Sequence, residues 1–195
     1  MLKFVVLAAL VAVCAAQVPV KCDSPKQWEA RRYRMDRTKQ YAELAYHSYD
    51  AIYMRTRSVE EVDQGTERDY YDRLHLHNVG VEYVLNLRTK KCNITRNSDP
   101  FRTIGIPPDA RFVFEATIGA AGIPSEYLIA TTWEGSFPDG AQYAVTVAEP
   151  DCIPIGFDVA NNKTSETFHE RYFDLHLGIA DPEVFIPPQE CLQQH

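Results

Sequence analysis

Five stretches of the chain alternate apolar and polar residues with a period of two. Val81, Tyr83, Leu85 and Leu87 alternate with Glu82, Asn86 and Arg88, and Phe112, Phe114, Ala116 and Ile118 alternate with Glu115 and Thr117. Tyr127, Ile129, Thr131 and Trp133 are two apart, as are Tyr143, Val145 and Val147, while Phe173, Leu175 and Leu177 stand opposite Asp174 and His176. Successive side chains of a strand point to opposite faces, so this period predicts strands buried on one side. Turn-forming residues fall between them, at Asn78 to Gly80, Gly135 to Gly140 and Asn161-Asn162. Many short strands and few long amphipathic helical stretches predict an all-β fold, an antiparallel sandwich or half-open barrel. One local cue differs. Ser24-Pro25-Lys26-Gln27 has the form of a capping box with proline at the first helical position, opening a helix into the basic run Arg31 to Lys39. The competing reading is a strand from Trp28 to Arg37 with its charges facing solvent.

The first sixteen residues are patterned differently. Lys3, the apolar run Phe4 to Val13 and the small residues Cys14-Ala15-Ala16 form a secretory signal peptide over 1–16, with Gln17 as the expected mature N-terminus. The apolar run falls short of the roughly 20 residues that cross a bilayer, and no later segment reads as membrane-spanning. A lipoprotein site at Cys14 would need a small residue where Val13 stands. The expected product is an extracellular protein, 17–195, with one domain and a substantial core.

Secretion changes how the cysteines are read. Cys22, Cys92, Cys152 and Cys191 remain, an even number without zinc-type spacing, so two disulfides are expected, in any of three pairings. The sequons Asn93-Ile94-Thr95 and Asn162-Lys163-Thr164 mark Asn93 and Asn162 as glycosylation sites at the surface. Removing Lys3 from 20 Lys+Arg leaves 19 against 27 Asp+Glu, a net charge of −8 with neutral histidines. That balance argues against nucleic acid or an anionic membrane as partner.

Catalytic patterns are absent. The chain has no GxSxG, no phosphate loop and no EF-hand loop. His169-Glu170 opens like a zinc-protease motif, but Phe173 stands where the second histidine belongs, in a segment that alternates as a strand. His75 and His77 would share one face of a strand and could chelate a divalent metal; the plainer reading is two solvent-facing histidines beside buried Leu74 and Leu76. No paired carboxylates accompany a nucleophile, so the expectation is a protein that is not an enzyme. The surplus of aromatic and aliphatic residues on strand faces would form either a solid core or the lining of an apolar cavity.

Several blocks, in order, carry a family likeness. Cys22-Asp23-Ser24-Pro25 with Trp28-Glu29, Ser48-Tyr49-Asp50-Ala51 leading into Arg55-Thr56-Arg57, Tyr71-Asp72-Arg73-Leu74, Gly80 with Tyr83, and Thr89-Lys90-Lys91-Cys92 come first. Ile106-Pro107, Trp133-Glu134-Gly135, Tyr143 to Val147, Cys152-Ile153-Pro154-Ile155 and Gly178-Ile179-Ala180-Asp181-Pro182 to Cys191 follow. Together they make the chain resemble the ependymin-related proteins over nearly the whole mature length. The resemblance implies two stacked, curved antiparallel sheets, a half-open barrel like that of bacterial lipoprotein carriers, with a central apolar cavity. It also implies a secreted, glycosylated, often homodimeric protein that binds lipids or fatty-acid-like ligands, with calcium commonly associated and no required cofactor. It selects the strand reading of Trp28 to Arg37 and pairs Cys22 with Cys152 and Cys92 with Cys191. Some relatives carry six mature cysteines where this chain has four, and no acidic cluster here names calcium ligands.

On that reading the lining candidates are Phe112, Phe114, Ile118, Leu128, Trp133, Tyr143, Val145, Phe173 and Leu175. A one-residue slip of register would exchange inside for outside. The alternative function is an extracellular matrix adhesion or signalling protein acting through its surface, its glycans and calcium. Lipid hydrolysis, a third reading, lacks a nucleophile and base.

Overall fold

The computed structural model describes residues 19–98, 100–161 and 163–193. The expected signal peptide at 1–16, the expected mature start at Gln17 and the sequon residue Asn162 lie outside the described residues. Among those described, eleven strands follow one another: β1 Gln27–Asp36, β2 Tyr41–Asp50, β3 Arg55–Gln64, β4 Glu67–Leu76, β5 Val81–Asn86, β6 Cys92–Arg96, β7 Arg111–Gly119, β8 Tyr127–Ser136, β9 Gln142–Glu149, β10 Ile153–Asn161 and β11 Glu166–Leu177. A 3₁₀ turn, Pro182–Phe185, and a one-turn helix α1, Gln189–Leu192, complete the chain.

Short polar side chains end several strands by capturing the next backbone amides, which is why the chain reverses there. Asp36 accepts from the N–H of Thr38 and Lys39, Asp50 from Ile52 and Tyr53, Asn86 from Arg88 and Thr89, and Asn161 from Lys163. Gly80 holds φ of +66°, as the turn after β4 requires.

The strands form one antiparallel sheet in the order β6-β5-β4-β3-β2-β1-β11-β10-β9-β8-β7. Two meanders, β1 to β6 and β7 to β11, are thus joined where the first strand pairs with the last. The all-β, half-open class expected from the sequence is the one observed, with all strands in a single sheet whose edges, β6 and β7, do not pair with each other.

The segment Ser24 to Gln27 leads into a strand, not a capped helix, and this strand corrects one expectation. Of the charges of β1 only Arg31 is exposed: the strand is central, flanked by β2 and β11, and Glu29, Arg32 and Asp36 are buried, Arg32 at 3% exposure. Trp28, Ala30, Arg32, Arg34 and Asp36 share a face with Tyr49, His47, Ala45, Glu43 and Tyr41 of β2. The same face continues through Tyr172 and Glu170, Phe157 and Val159, Val145 and Tyr143, and Trp133 to Phe112.

Two apolar clusters occupy this first face. Trp28, Ala30, Tyr49 and Tyr172 form one, with Leu175 packed against it. Trp133, Tyr143, Val145, Val147, Ile106, Ala110 and Cys152 form the other, with Phe112 and Phe157 against it. The connection from β6 to β7 crosses here and ties the clusters to the N-terminal segment. Ile104 N–H donates to the Tyr49 hydroxyl at 3.1 Å, Ser24 N–H to Ile104 O at 3.0 Å, and Ile106 N–H to Cys22 O at 2.9 Å. The Cys22–Cys152 disulfide fixes that segment to the far meander.

On the second face the C-terminal segment covers one end of β1 to β6. Gly178 N–H donates to Gln27 O, and Ala180 N–H to Glu29 Oε2. Arg57 donates to the carbonyls of Val184 and Ile186, while the Arg55 guanidinium lies 4.1 Å from the centre of the buried Phe185 ring. Cys92–Cys191 closes the strap, with α1 seated on β5 and β6. Both pairings are those the family likeness implies.

Candidate ligand-binding face

Beyond the strap, the second face carries apolar side chains that none of the described residues covers. Leu44 and Tyr46 of β2, Val59 of β3 and Tyr70 of β4 are 41%, 51%, 46% and 42% exposed. They are neighbours by register: Tyr46 stands opposite Val59, Leu44 opposite Glu61, and Glu61 opposite Tyr70. With Arg31 and Leu87 they line a recess of about 300 Å³. Arg31 also stands opposite Phe173, which is exposed on the same face. Exposed apolar groups that are contiguous mark binding surfaces, whereas scattered ones need no explanation. The recess is mainly apolar, and its charged lining residues already pair: Arg31 with Asp174 at 3.5 Å, Glu60 with Arg73 at 3.0 Å and Glu61 with Arg68 at 3.0 Å.

The lining candidates named from sequence divide between the two faces. Trp133, Tyr143 and Val145 are buried in the packed cluster, with Phe112 partly buried against it, and Leu175 packs on Trp28 and its neighbours. Phe114, Ile118, Leu128 and Phe173 are exposed and lie on the second face. Two bulges cause the division. The ladder between β7 and β8 shifts register between Phe112 and Phe114, so these residues face opposite ways despite their spacing. The ladder between β1 and β11 also shifts, and Asp174, with φ of +51°, separates Phe173 from Leu175. Leu44, Tyr46, Val59 and Tyr70 were not among the candidates; Val59 and Tyr70 sit within the charge-rich strands β3 and β4. The available signal was Leu44 and Tyr46, two apart in β2.

Under the first face lies a charged set that sequence reasoning also missed. Arg32 donates to Glu43 Oε1 at 2.6 Å, to Ser58 Oγ at 3.1 Å and to His47 Nδ1 at 3.0 Å. Arg34 pairs with Glu170, which accepts from the Tyr172 hydroxyl, and Arg73 pairs with Glu60 at 3.0 Å. Burial tends to raise the Glu43 carboxyl, but Arg32, Arg34 and the Tyr41 hydroxyl hold it below the usual carboxylate range. Burial and the neighbouring Glu43 raise Glu60. Burial first, then Arg32 and Arg34, push His47 well below the ordinary histidine value. A neutral imidazole is what the geometry asks for, since its Nδ1 must accept the Arg32 proton. Buried and mutually satisfied, this set fixes the register of β1 to β4 and β11 and leaves no room for a substrate.

His75 and His77 share a face, with ring centres 4.9 Å apart, and His75 Nε2 lies 3.2 Å from Glu82 Oε1. Among the described residues no group of three or more His, Cys, Asp or Glu is placed to hold a metal ion. His169 and Glu170 lie on a strand, pointing to opposite faces. Asn93 is exposed on the edge strand β6. No helix among the described residues is long and apolar enough to cross a membrane.

Comparisons with known proteins agree with this architecture. The Ependymin family model matches residues 65–191. The chain is 27% identical over 177 residues to mammalian ependymin-related protein 1 of Rattus norvegicus and to that of Mus musculus, covering 89% of this chain and 77% of each relative. A crystal structure of an uncharacterized conserved protein from Thermus thermophilus shares the fold, with a TM-score of 0.53 at 11% identity over 85% of this chain and 88% of that one. The family model spans most of the sheet, from the turn before β4 to the last disulfide, and on that match the chain belongs to the ependymin family.

Proposed function

We propose that this protein is a secreted, glycosylated carrier that binds lipids or other apolar ligands on the second face, at the recess edged by Leu44, Tyr46, Val59 and Tyr70. The observation that carries the reading is that these four large side chains stay exposed together around one recess, while Trp28, Tyr49, Tyr172, Trp133 and Tyr143 pack into buried clusters on the first face. Phe114, Ile118, Leu128 and Phe173 extend the same face. Each methylene buried there contributes about 0.8 kcal/mol, so an acyl chain is held without any catalytic group and leaves chemically unchanged. Secretion rests on the signal-peptide pattern of residues 1–16, and glycosylation on the sequons. A homodimer is supported by β7, an edge strand exposed along most of its length, onto which a second copy can pair.

Displacement of a fluorescent fatty acid tests the carrier reading. Val59→Asp and Tyr46→Asp place a charge in the recess without touching either packed cluster, and should weaken binding about tenfold or more. Unchanged affinity in both folded variants would refute binding at this face. Survival of matrix-partner binding in the same variants, with no lipid co-purifying in native mass spectrometry, would favour the adhesion reading.

A further inference from the structure

A second recess, of about 450 Å³, lies on the same face but at the far meander, where β8 to β11 end. Its floor is made by Ala144 and Ala160, small residues that leave a dent in the surface. Gly135, which also lines the recess through its backbone, lacks a side chain because of the first face, where a Cβ would collide with the Tyr143 hydroxyl. The rim is polar, and each of its charges already has a protein partner. Arg111 pairs with Glu134, Asp158 is held by Arg171 at 2.9 Å and lies 2.7 Å from His169 Nδ1, and Asp109 accepts from the Tyr143 hydroxyl at 3.1 Å. Gln142, Ser136 and Thr167 add neutral amide and hydroxyl groups.

This composition selects a ligand class. An apolar ligand would strip water from Arg111, Glu134 and Asp158 and return no hydrogen bonds. An ionic ligand would have to break one of the existing pairs to gain a counter-charge. A neutral ligand rich in hydroxyl groups can add hydrogen bonds in both directions, donating to Glu134 and accepting from Gln142 or Arg111, while every ion pair stays intact. The volume falls within the range of about 300–1,000 Å³ usual for small-molecule sites. We propose that this recess binds a neutral polyhydroxylated ring of about hexose size, independently of the apolar recess near Tyr46.

Titration of the isotopically labelled full-length protein with methyl β-D-glucopyranoside, myo-inositol and glucuronate, followed by amide chemical shifts, tests it. Saturable shifts at Gln142, Ala160 and Thr167 are expected from one of the neutral ligands, with a dissociation constant at or below the millimolar range. Ala160→Trp, which fills the floor from an exposed position, should weaken this binding about tenfold, and Val59→Asp should leave it unchanged. Glu134→Gln, a smaller change, should weaken it too. Absence of saturable shifts with both neutral ligands, tighter binding of glucuronate, or full binding by both recess variants would overturn the proposal.

Discussion

Arg32 gathers more buried charge than any other side chain of the sheet centre. It stands 2.6 Å from Glu43 and within 4.0 Å of Glu60 and Glu170, in surroundings where water cannot replace it. Arg32→Met should therefore destabilise the fold by about 3–5 kcal/mol, measured by urea denaturation, because it strands buried carboxylates. Adding Glu43→Gln should recover part of that loss, and a purely additive double variant would show that the pair is not coupled. His47 gives a pH signature. Its folded-state value is depressed, so the unfolded chain takes up a proton near pH 6.5 while the folded chain does not. Stability from this residue is present above about pH 6.5 and is lost as pH falls below it. In thermal unfolding, His47→Gln should show a shallower decline in that window than the parent; an identical slope would exclude His47 as its source. Neither residue announced itself in the sequence. A basic run in a short segment reads as solvated, and only its pairing with Glu43, Glu60 and Glu170 on neighbouring strands reveals a buried set.

The elements were more legible than their faces. All five alternating stretches became strands, and turns fall at Asn78 to Gly80 and within Gly135 to Gly140 as expected, because period and turn chemistry are local properties. Which side each residue faces depends on bulges, and those at β7 and β11 left no mark in the pattern around Phe112, Phe114, Phe173 and Leu175. The two edge strands differ in a way that bears on assembly. β6 is short, carries the Asn93 sequon and is bridged to the C-terminal strap, whereas β7 is longer, lacks proline and lysine, and exposes Phe114 and Ile118. A second copy should pair along β7, and Ala116→Lys should shift the protein toward monomer in sedimentation velocity. A dimer that persists unchanged in that variant would move the interface elsewhere.

At the scale of the whole molecule, the sequence conveyed a half-open all-β fold, while the position of its open apolar face depended on contacts between strands distant in the chain. The pairing of β1 with β11 has a consequence for how such a chain is made. Each meander can form from neighbouring segments as they emerge, but the sheet has two separate halves until its last strand is synthesised. The Cys22–Cys152 bridge, which joins residues 130 apart, depends on that closure even though both thiols precede β11. A chain ending after Asn161 should consequently fail to form this bridge under mild oxidation, as disulfide mapping would show, while the full chain forms it; efficient bridging in the truncated chain would mean that the halves meet before β11 arrives. The most central ladder of the finished protein is thus the last to be assembled, and the Cys22–Cys152 bridge has to wait for it.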